Sequence, residues 1–166
     1  PQPRMSAAAQ PLVGCDVTRL HALETSLVTY GFAAWPDALT TNTLAALQAE
    51  ARARLTEAVR LEQDGSLSYR ARLTGLGPII QSFLSHEHVT AILTRLFGGR
   101  FKLSSDISCL THYGAADHLG AHLDEPAEAC AVTLVLYLSA KSPAPEAPET
   151  GLVLKVYGTD RASIAA

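Results

Sequence analysis

The chain has 166 residues, 48% of them apolar, enough for one buried core, with 16 acidic against 13 basic side chains and a formal charge of −3. No run of lysine or arginine interleaved with aromatics occurs, which excludes a nucleic-acid or anionic-membrane surface as the leading reading, and no apolar window reaches the length of a membrane span. The N-terminal "PQPRMSAAAQPLVG" lacks a basic segment followed by a hydrophobic signal core, so a cytoplasmic location is expected; separately, Met5 reads as the native start.

Asp16 is placed to cap a first helix over about 16 to 30, with Leu20, Leu23, Leu27 and Tyr30 along one face and Gly31 as its stop. "FAAW" at 32 to 35 reads as a short strand, and Pro36-Asp37 as a turn. Thr41 or Asn42 then caps a longer helix to about Leu61, striped by Leu44, Leu47, Ala51, Leu55 and Val59; Glu50, Arg52, Arg54 and Glu57 form its solvated side. "EQDGS" at 62 to 66 is a loop. In "SYRARL" the residues alternate, which directs Tyr69, Ala71 and Leu73 one way and Arg70 and Arg72 the other. "GLGPII" breaks the chain, and Val89, Ile92, Leu93 and Leu96 stripe a third helix that ends at Gly98-Gly99, with His86, Glu87 and His88 as a polar cluster at its start.

From Phe101 the period shortens. Phe101, Leu103, Ser105, Ile107 and Cys109 alternate as in a half-buried strand, "AVTLVLYLSA" at 131 to 140 reads as an inner strand, and "GLVLKVYG" at 151 to 158 as another, separated by the proline-rich surface loop "KSPAPEAPE". Helices followed by consecutive strands indicate an α+β chain with a jelly-roll body. Cys15, Cys109 and Cys130 are odd in number and widely spaced, which favours buried thiols over disulfides or a thiolate zinc site.

His122 and Asp124 stand two apart, so in extended backbone both side chains fall on one face, a spacing suited to chelation. One imidazole and one carboxylate are two of the three ligands of the facial triad that holds non-haem Fe(II). The segment from Tyr113 to Asp124, "YGAADHLGAHLD", followed by "TLVLYLS", resembles the signature of the Fe(II)/2-oxoglutarate-dependent oxygenases, in which a tyrosine precedes the HxD histidine by nine residues across a glycine-containing turn. Ala116 stands where that signature commonly has glycine, and Leu119 where it has an aromatic. "YGFAAWPDALTTNTLAALQAEARARL" is similar to the opening of the phytanoyl-CoA-hydroxylase-like members, and "LTRLFGGRFKLSSDISCLTHYGAADHLGAHLD" to members acting on free amino acids and other small metabolites.

The resemblance implies one oxygenase domain over 1 to 166, with a mainly helical part to about residue 100 packed on a distorted double-stranded β-helix of cupin-like type. It implies Fe(II) held by His122 and Asp124, 2-oxoglutarate as cosubstrate hydrogen-bonded by Tyr113, O2 as the oxidant, and hydroxylation of a small molecule. No histidine follows His122, whereas the family's third ligand and its 2-oxoglutarate-binding basic residue lie well downstream of HxD; the resemblance therefore implies that the C-terminal strands are missing. Asp124 favours hydroxylation over halogenation, since halogenating relatives carry a small residue there. Arg70 and Arg72 are candidates for an acidic substrate group, because guanidinium binds carboxylate through two parallel hydrogen bonds. Arg100 is a further candidate of the same kind. His118 is a candidate for a supporting contact at the site, as is His112, and Thr133 is able to face a barrel cavity. The competing reading is a metal-free β-helix that binds or scaffolds without chemistry.

Overall fold

A computed structural model describes residues 12, 15 to 65, 68 to 120, 122 and 132 to 138. The strand proposed at 151 to 158, the proline-rich loop, Cys130 and Asp124 lie outside them. The described residues form a mixed α and β structure with four helices and one four-stranded antiparallel sheet. None of these helices is long and apolar enough to cross a membrane.

The chain divides into two compact units. The first holds the described residues up to Thr43 together with Phe83–Lys102. Helix α1, Val17–Tyr30, starts where Asp16 Oδ1 accepts the backbone N–H of Arg19 at 2.7 Å, and it stops at Gly31, whose φ of 75° is the left-handed conformation that glycine adopts without strain. Its expected bounds are met at both ends. "FAAW" is not a strand. Residues 32 to 35 carry no sheet pairing among the described residues, and the isolated bridge between Leu12 and Leu39 lies outside them. Asp37, with φ 54°, makes the turn that Pro36-Asp37 predicts. Helix α4, Glu87–Phe97, begins at His86, whose Nδ1 accepts the His88 N–H at 3.2 Å, and closes at Gly98. The three-residue "HEH" is thus a helix start. Leu23 of α1 and Val89 and Ile92 of α4 are buried, and Glu24 meets Arg95 at 3.6 Å.

The second unit holds the described residues of Leu44–Ser82 and Leu103–Ala140. Helix α2, Thr41–Leu55, is capped one residue earlier than expected: Thr40 Oγ1 accepts the Thr43 N–H at 3.1 Å. It also ends six residues earlier than the apolar spacing suggests. Thr56, Glu57 and Ala58 tighten into turns bonded to Ala53, Arg54 and Leu55, and the Thr56 hydroxyl donates to the Ala53 carbonyl at 2.7 Å. Val59, taken as the last member of a helical stripe, opens strand β1, Val59–Gln63. Strand β2, Tyr69–Gly75, follows with the alternation read from "SYRARL", Ala71 being fully buried and Arg72 exposed.

The break at "GLGPII" contains a helix of its own. Pro78 opens α3, Pro78–Leu84, where its missing N–H costs nothing. The next two N–H groups, of Ile79 and Ile80, donate to Glu50 Oε1 and Oε2 at 2.8 and 2.7 Å. Glu50 is therefore no solvated surface residue. A Cβ on Gly77 would lie 2.4 Å from the Glu50 carboxyl carbon, so only glycine admits this cap. Arg54 is likewise engaged, donating to the Gly75 carbonyl at 3.3 Å.

Strand β3 is shorter than the alternation from Phe101 suggests, covering only Cys109–His112; residues 105 to 107 turn, with Ser108 N–H bonded to the Ser104 carbonyl. β4 is His118–Leu119. Residues 132 to 138 carry no strand among the described residues, and Val135 and Tyr137 are exposed, against the inner strand expected there. An apolar run becomes an inner strand only where ladders form on both sides; here the Leu138 carbonyl accepts from Gln48 Nε2 at 2.9 Å. Cys109 is exposed and Cys15 half-buried, so Cys109 is not the buried thiol expected.

Candidate functional site

Strand β2 is the spine on which the candidates are arranged. On one edge β1 pairs with it antiparallel, Arg60 opposite Arg72 and Glu62 opposite Arg70. On the other edge both β3 and β4 pair with it, Arg72 opposite His112 and Arg70 opposite His118. One residue, Ala71, separates Arg70 from Arg72, whereas five, Tyr113 to Asp117, separate His112 from His118. β3 and β4 are thus one interrupted strand with a five-residue excursion opposite Ala71, a large bulge of the kind that re-aims side chains.

Asp117 closes the excursion. Its Oδ2 accepts the Gly114 N–H at 2.8 Å, its own N–H donates to the Gly114 carbonyl at 3.1 Å, and its Oδ1 accepts from Arg60 Nη2 at 2.9 Å. The side chain is 3% exposed. The Gly114 N–H first, and then the Arg60 guanidinium with a contribution from Arg70, hold the Asp117 carboxyl below its ordinary range. The turn inside the excursion places Ala116 at φ 64°, a backbone setting that favours glycine.

Residues directly opposite each other in the ladder share a face of the sheet. Arg60, Arg72 and His112 form one transverse row, and Glu62, Arg70 and His118 the next. The candidates Arg70, Arg72, His112 and His118 are therefore brought together. Arg70 Nη2 contacts Glu62 Oε1 at 2.7 Å, Arg72 Nη2 donates to the Ala58 carbonyl at 3.3 Å, and His118 Nε2 lies 2.8 Å from Ser68 Oγ. Arg70 Nε is covered and has no hydrogen-bond partner among the described residues. Arg100 and Thr133 are exposed.

The opposite face carries Tyr69, Ala71 and Leu73 against Thr111, Cys109 and Leu119. Tyr113 follows Thr111 by two residues and is 41% exposed. Burial pushes its phenol above the ordinary value, and the neighbouring Cys109, Tyr69 and Tyr137 push it further, since each would carry negative charge when ionised. Burial and Cys109 raise Tyr69 in the same way. The sheet thus separates Tyr113 from the arginines and from His118.

Beyond β4, the Gly120 N–H continues the pairing with the Ser68 carbonyl at 2.7 Å. His122, two residues on, is exposed and its Nδ1 lies 3.0 Å from the Gly120 carbonyl oxygen. A carbonyl only accepts, so Nδ1 carries the proton and the lone pair of the neutral ring sits on Nε2. This is the arrangement in which histidines ligate metals, the non-ligating nitrogen being held by a backbone carbonyl. Among the described residues no three His, Cys, Asp or Glu side chains are grouped to hold a metal ion; Asp124 is not one of those residues.

Arg60, Glu62, Ser68 and Asp117 belong to this arrangement and were missed in the sequence. Arg60 was hidden by its assignment to a helix and Glu62 by its assignment to the loop at 62 to 66, whereas both lie in β1. For Asp117 a local signal exists, the Gly114-x-x-Asp117 spacing of a turn closed by an aspartate side chain. Compared with protein-family models, with curated proteins and with solved structures, the chain matches none.

Proposed function

We propose that the chain belongs to an Fe(II)- and 2-oxoglutarate-dependent oxygenase that hydroxylates a small metabolite, a free amino acid or a molecule of that size, in the cytoplasm. The observation that carries the reading is the segment from Tyr113 to Asp124, with its HxD spacing, its glycine-containing turn and its tyrosine nine residues before His122. The Gly120 carbonyl at His122 Nδ1 supports it, because a backbone carbonyl on one ring nitrogen is the contact that metal-ligating histidines commonly make. In this reading the four-stranded antiparallel sheet is the described part of a double-stranded β-helix.

His122 and Asp124 hold the metal, and a third donor completes the triad. Fe(II) with 2-oxoglutarate and O2 supplies the oxidation of an unactivated carbon. Tyr113 positions the cosubstrate. Its hydroxyl is protonated at neutral pH, as an ordinary phenol is, and the upward pKa shift acts in the same direction, so that it donates a hydrogen bond to a 2-oxoglutarate carboxylate.

The test combines metal analysis with product analysis. Protein loaded with Fe(II) anaerobically, then given 2-oxoglutarate, O2 and a panel of free amino acids and small metabolites, is expected to retain one iron per chain and form succinate. His122→Ala and Asp124→Ala are expected to lose both. Absence of bound iron and of succinate across the panel overturns the oxygenase and leaves a metal-free binding β-helix.

A further inference from the structure

The polar face of the sheet has an unbalanced charge arrangement. Arg60 and Arg72 stand directly opposite each other in the ladder, a like-charge pairing that destabilises a sheet unless an anion compensates it. Asp117 compensates Arg60 at 2.9 Å. Among the described residues Arg72 has the neutral Ala58 carbonyl, at 3.3 Å, and no anion. Arg70, two residues away and about 7 Å along the same strand, has one terminal nitrogen on Glu62, while its Nε is covered and unpartnered among the described residues. His112 and His118 extend the two rows on the same face.

From this placement we infer that the face bearing Arg70 and Arg72 binds a small carboxylate, with the two guanidinia as its anchors and His112 and His118 at its flank. A carboxylate on this face takes N–H donors from Arg72, which is exposed, and from the terminal nitrogen of Arg70 that Glu62 does not hold. A second acidic group, spaced to match the roughly 7 Å between the two positions, reaches Arg72, which fits a dicarboxylate or an acidic amino acid better than a monoacid. Binding of this ligand does not rest on the function proposed above, since the sheet separates Arg70 and Arg72 from Tyr113.

The test uses the metal-free full chain, followed through the assigned side-chain Nε–Hε NMR signals of its arginines while sodium succinate or inorganic phosphate is added at constant ionic strength. Succinate is expected to shift the Arg70 and Arg72 signals saturably. Arg72→Gln is expected to weaken binding by roughly tenfold or more, the loss of one charge-assisted hydrogen bond at least, and Arg72→Lys, which keeps the charge without the fork, by less. Arg52→Gln, on the exposed side of α2, leaves binding unchanged. Unsaturable shifts, an equal loss in Arg52→Gln, or phosphate binding tighter than succinate each overturns the carboxylate site. Saturable succinate binding in a protein that forms no succinate from 2-oxoglutarate removes the oxygenase and keeps this site; turnover without succinate binding at Arg70 and Arg72 does the reverse.

Discussion

Replacing Glu50 by alanine tests whether a side chain on one helix holds the start of another. Both carboxylate oxygens are used, Oε1 on the Ile79 N–H at 2.8 Å and Oε2 on the Ile80 N–H at 2.7 Å, and Ile80 is buried. Hydrogen bonds to a charged acceptor contribute about 1.5–3 kcal/mol each, and a buried donor left without a partner costs about 1–3 kcal/mol. Ile79 is only half-buried and recovers water, so the two losses together come to about 2–4 kcal/mol. In a chain of this size that lowers Tm by roughly 5–15 °C. Thermal unfolding followed by circular dichroism measures the shift, and amide exchange at Ile79 and Ile80 locates it. Gly77→Ala perturbs the same contact from the other side, since its Cβ would overlap the Glu50 carboxyl group at 2.4 Å. It is expected to cost stability in the natural chain and little in the Glu50→Ala background, a non-additivity that a double-mutant cycle reads directly. A Tm change below about 1 °C in Glu50→Ala, with unaltered exchange at both amides, refutes the cap.

Ala116 occupies a left-handed setting at φ 64°, which costs a non-glycine residue about 1–2 kcal/mol; Ala116→Gly recovers part of this against its greater unfolded-state freedom, and a Tm rise of about 1–3 °C is the expected readout. Asp117 has a folded pKa below its unfolded value, so its contribution to stability is fully present above about pH 4 and is lost as pH falls through the lowered folded pKa. Urea unfolding of the natural chain and of Asp117→Asn is therefore expected to differ at pH 7 and to converge under strongly acidic conditions. Leu47 is fully buried, and Leu47→Ala is expected to cost about 2–5 kcal/mol in the same assay. Cys109 is exposed, whereas burial and the adjacent Asp16 raise the Cys15 thiol, so peptide mapping after brief alkylation of the native protein is expected to find Cys109 modified ahead of Cys15.

What the sequence disclosed was what neighbours along the chain decide. Asp16 and Gly31 bracket α1, and Gly98 ends α4, because a cap is satisfied within a turn or two of itself. The alternation at "SYRARL" survived for a similar reason, since the pleat alone fixes which residues share a face. The boundary at Leu55 was not legible. Val59 continues the apolar spacing of α2, no glycine or proline interrupts it, and what converts it to a strand is a ladder with residues 69 to 73. Helix α3 was hidden likewise, because its cap comes from Glu50, nearly thirty residues earlier. In the candidate site the residue types were legible and their partners were not: Arg70 and Arg72 could be assigned a face, but Glu62, His112 and His118 join them only through the register of three strands.

That register also changes what the segment around His118 does. Read as a linear motif, Tyr113, His118 and His122 are successive positions on one path toward a metal. Paired against β2, the five residues from Tyr113 to Asp117 stand opposite Ala71 alone, so the excursion decouples the alternation before it from the alternation after it. His112 and His118 both fall beside arginines, while Tyr113 goes with Cys109 and Tyr69. The Asp117 carboxylate fixes this by holding the loop to itself at Gly114 and to β1 at Arg60. On the polar face Asp117 thereby neutralises Arg60 as Glu62 does Arg70, which leaves Arg72 as the guanidinium there without an anionic partner among the described residues. Fixing the loop and selecting the anion site are consequences of one ion pair, so Arg60→Gln is expected to alter succinate binding at Arg70 and Arg72 as well as the conformation of the excursion.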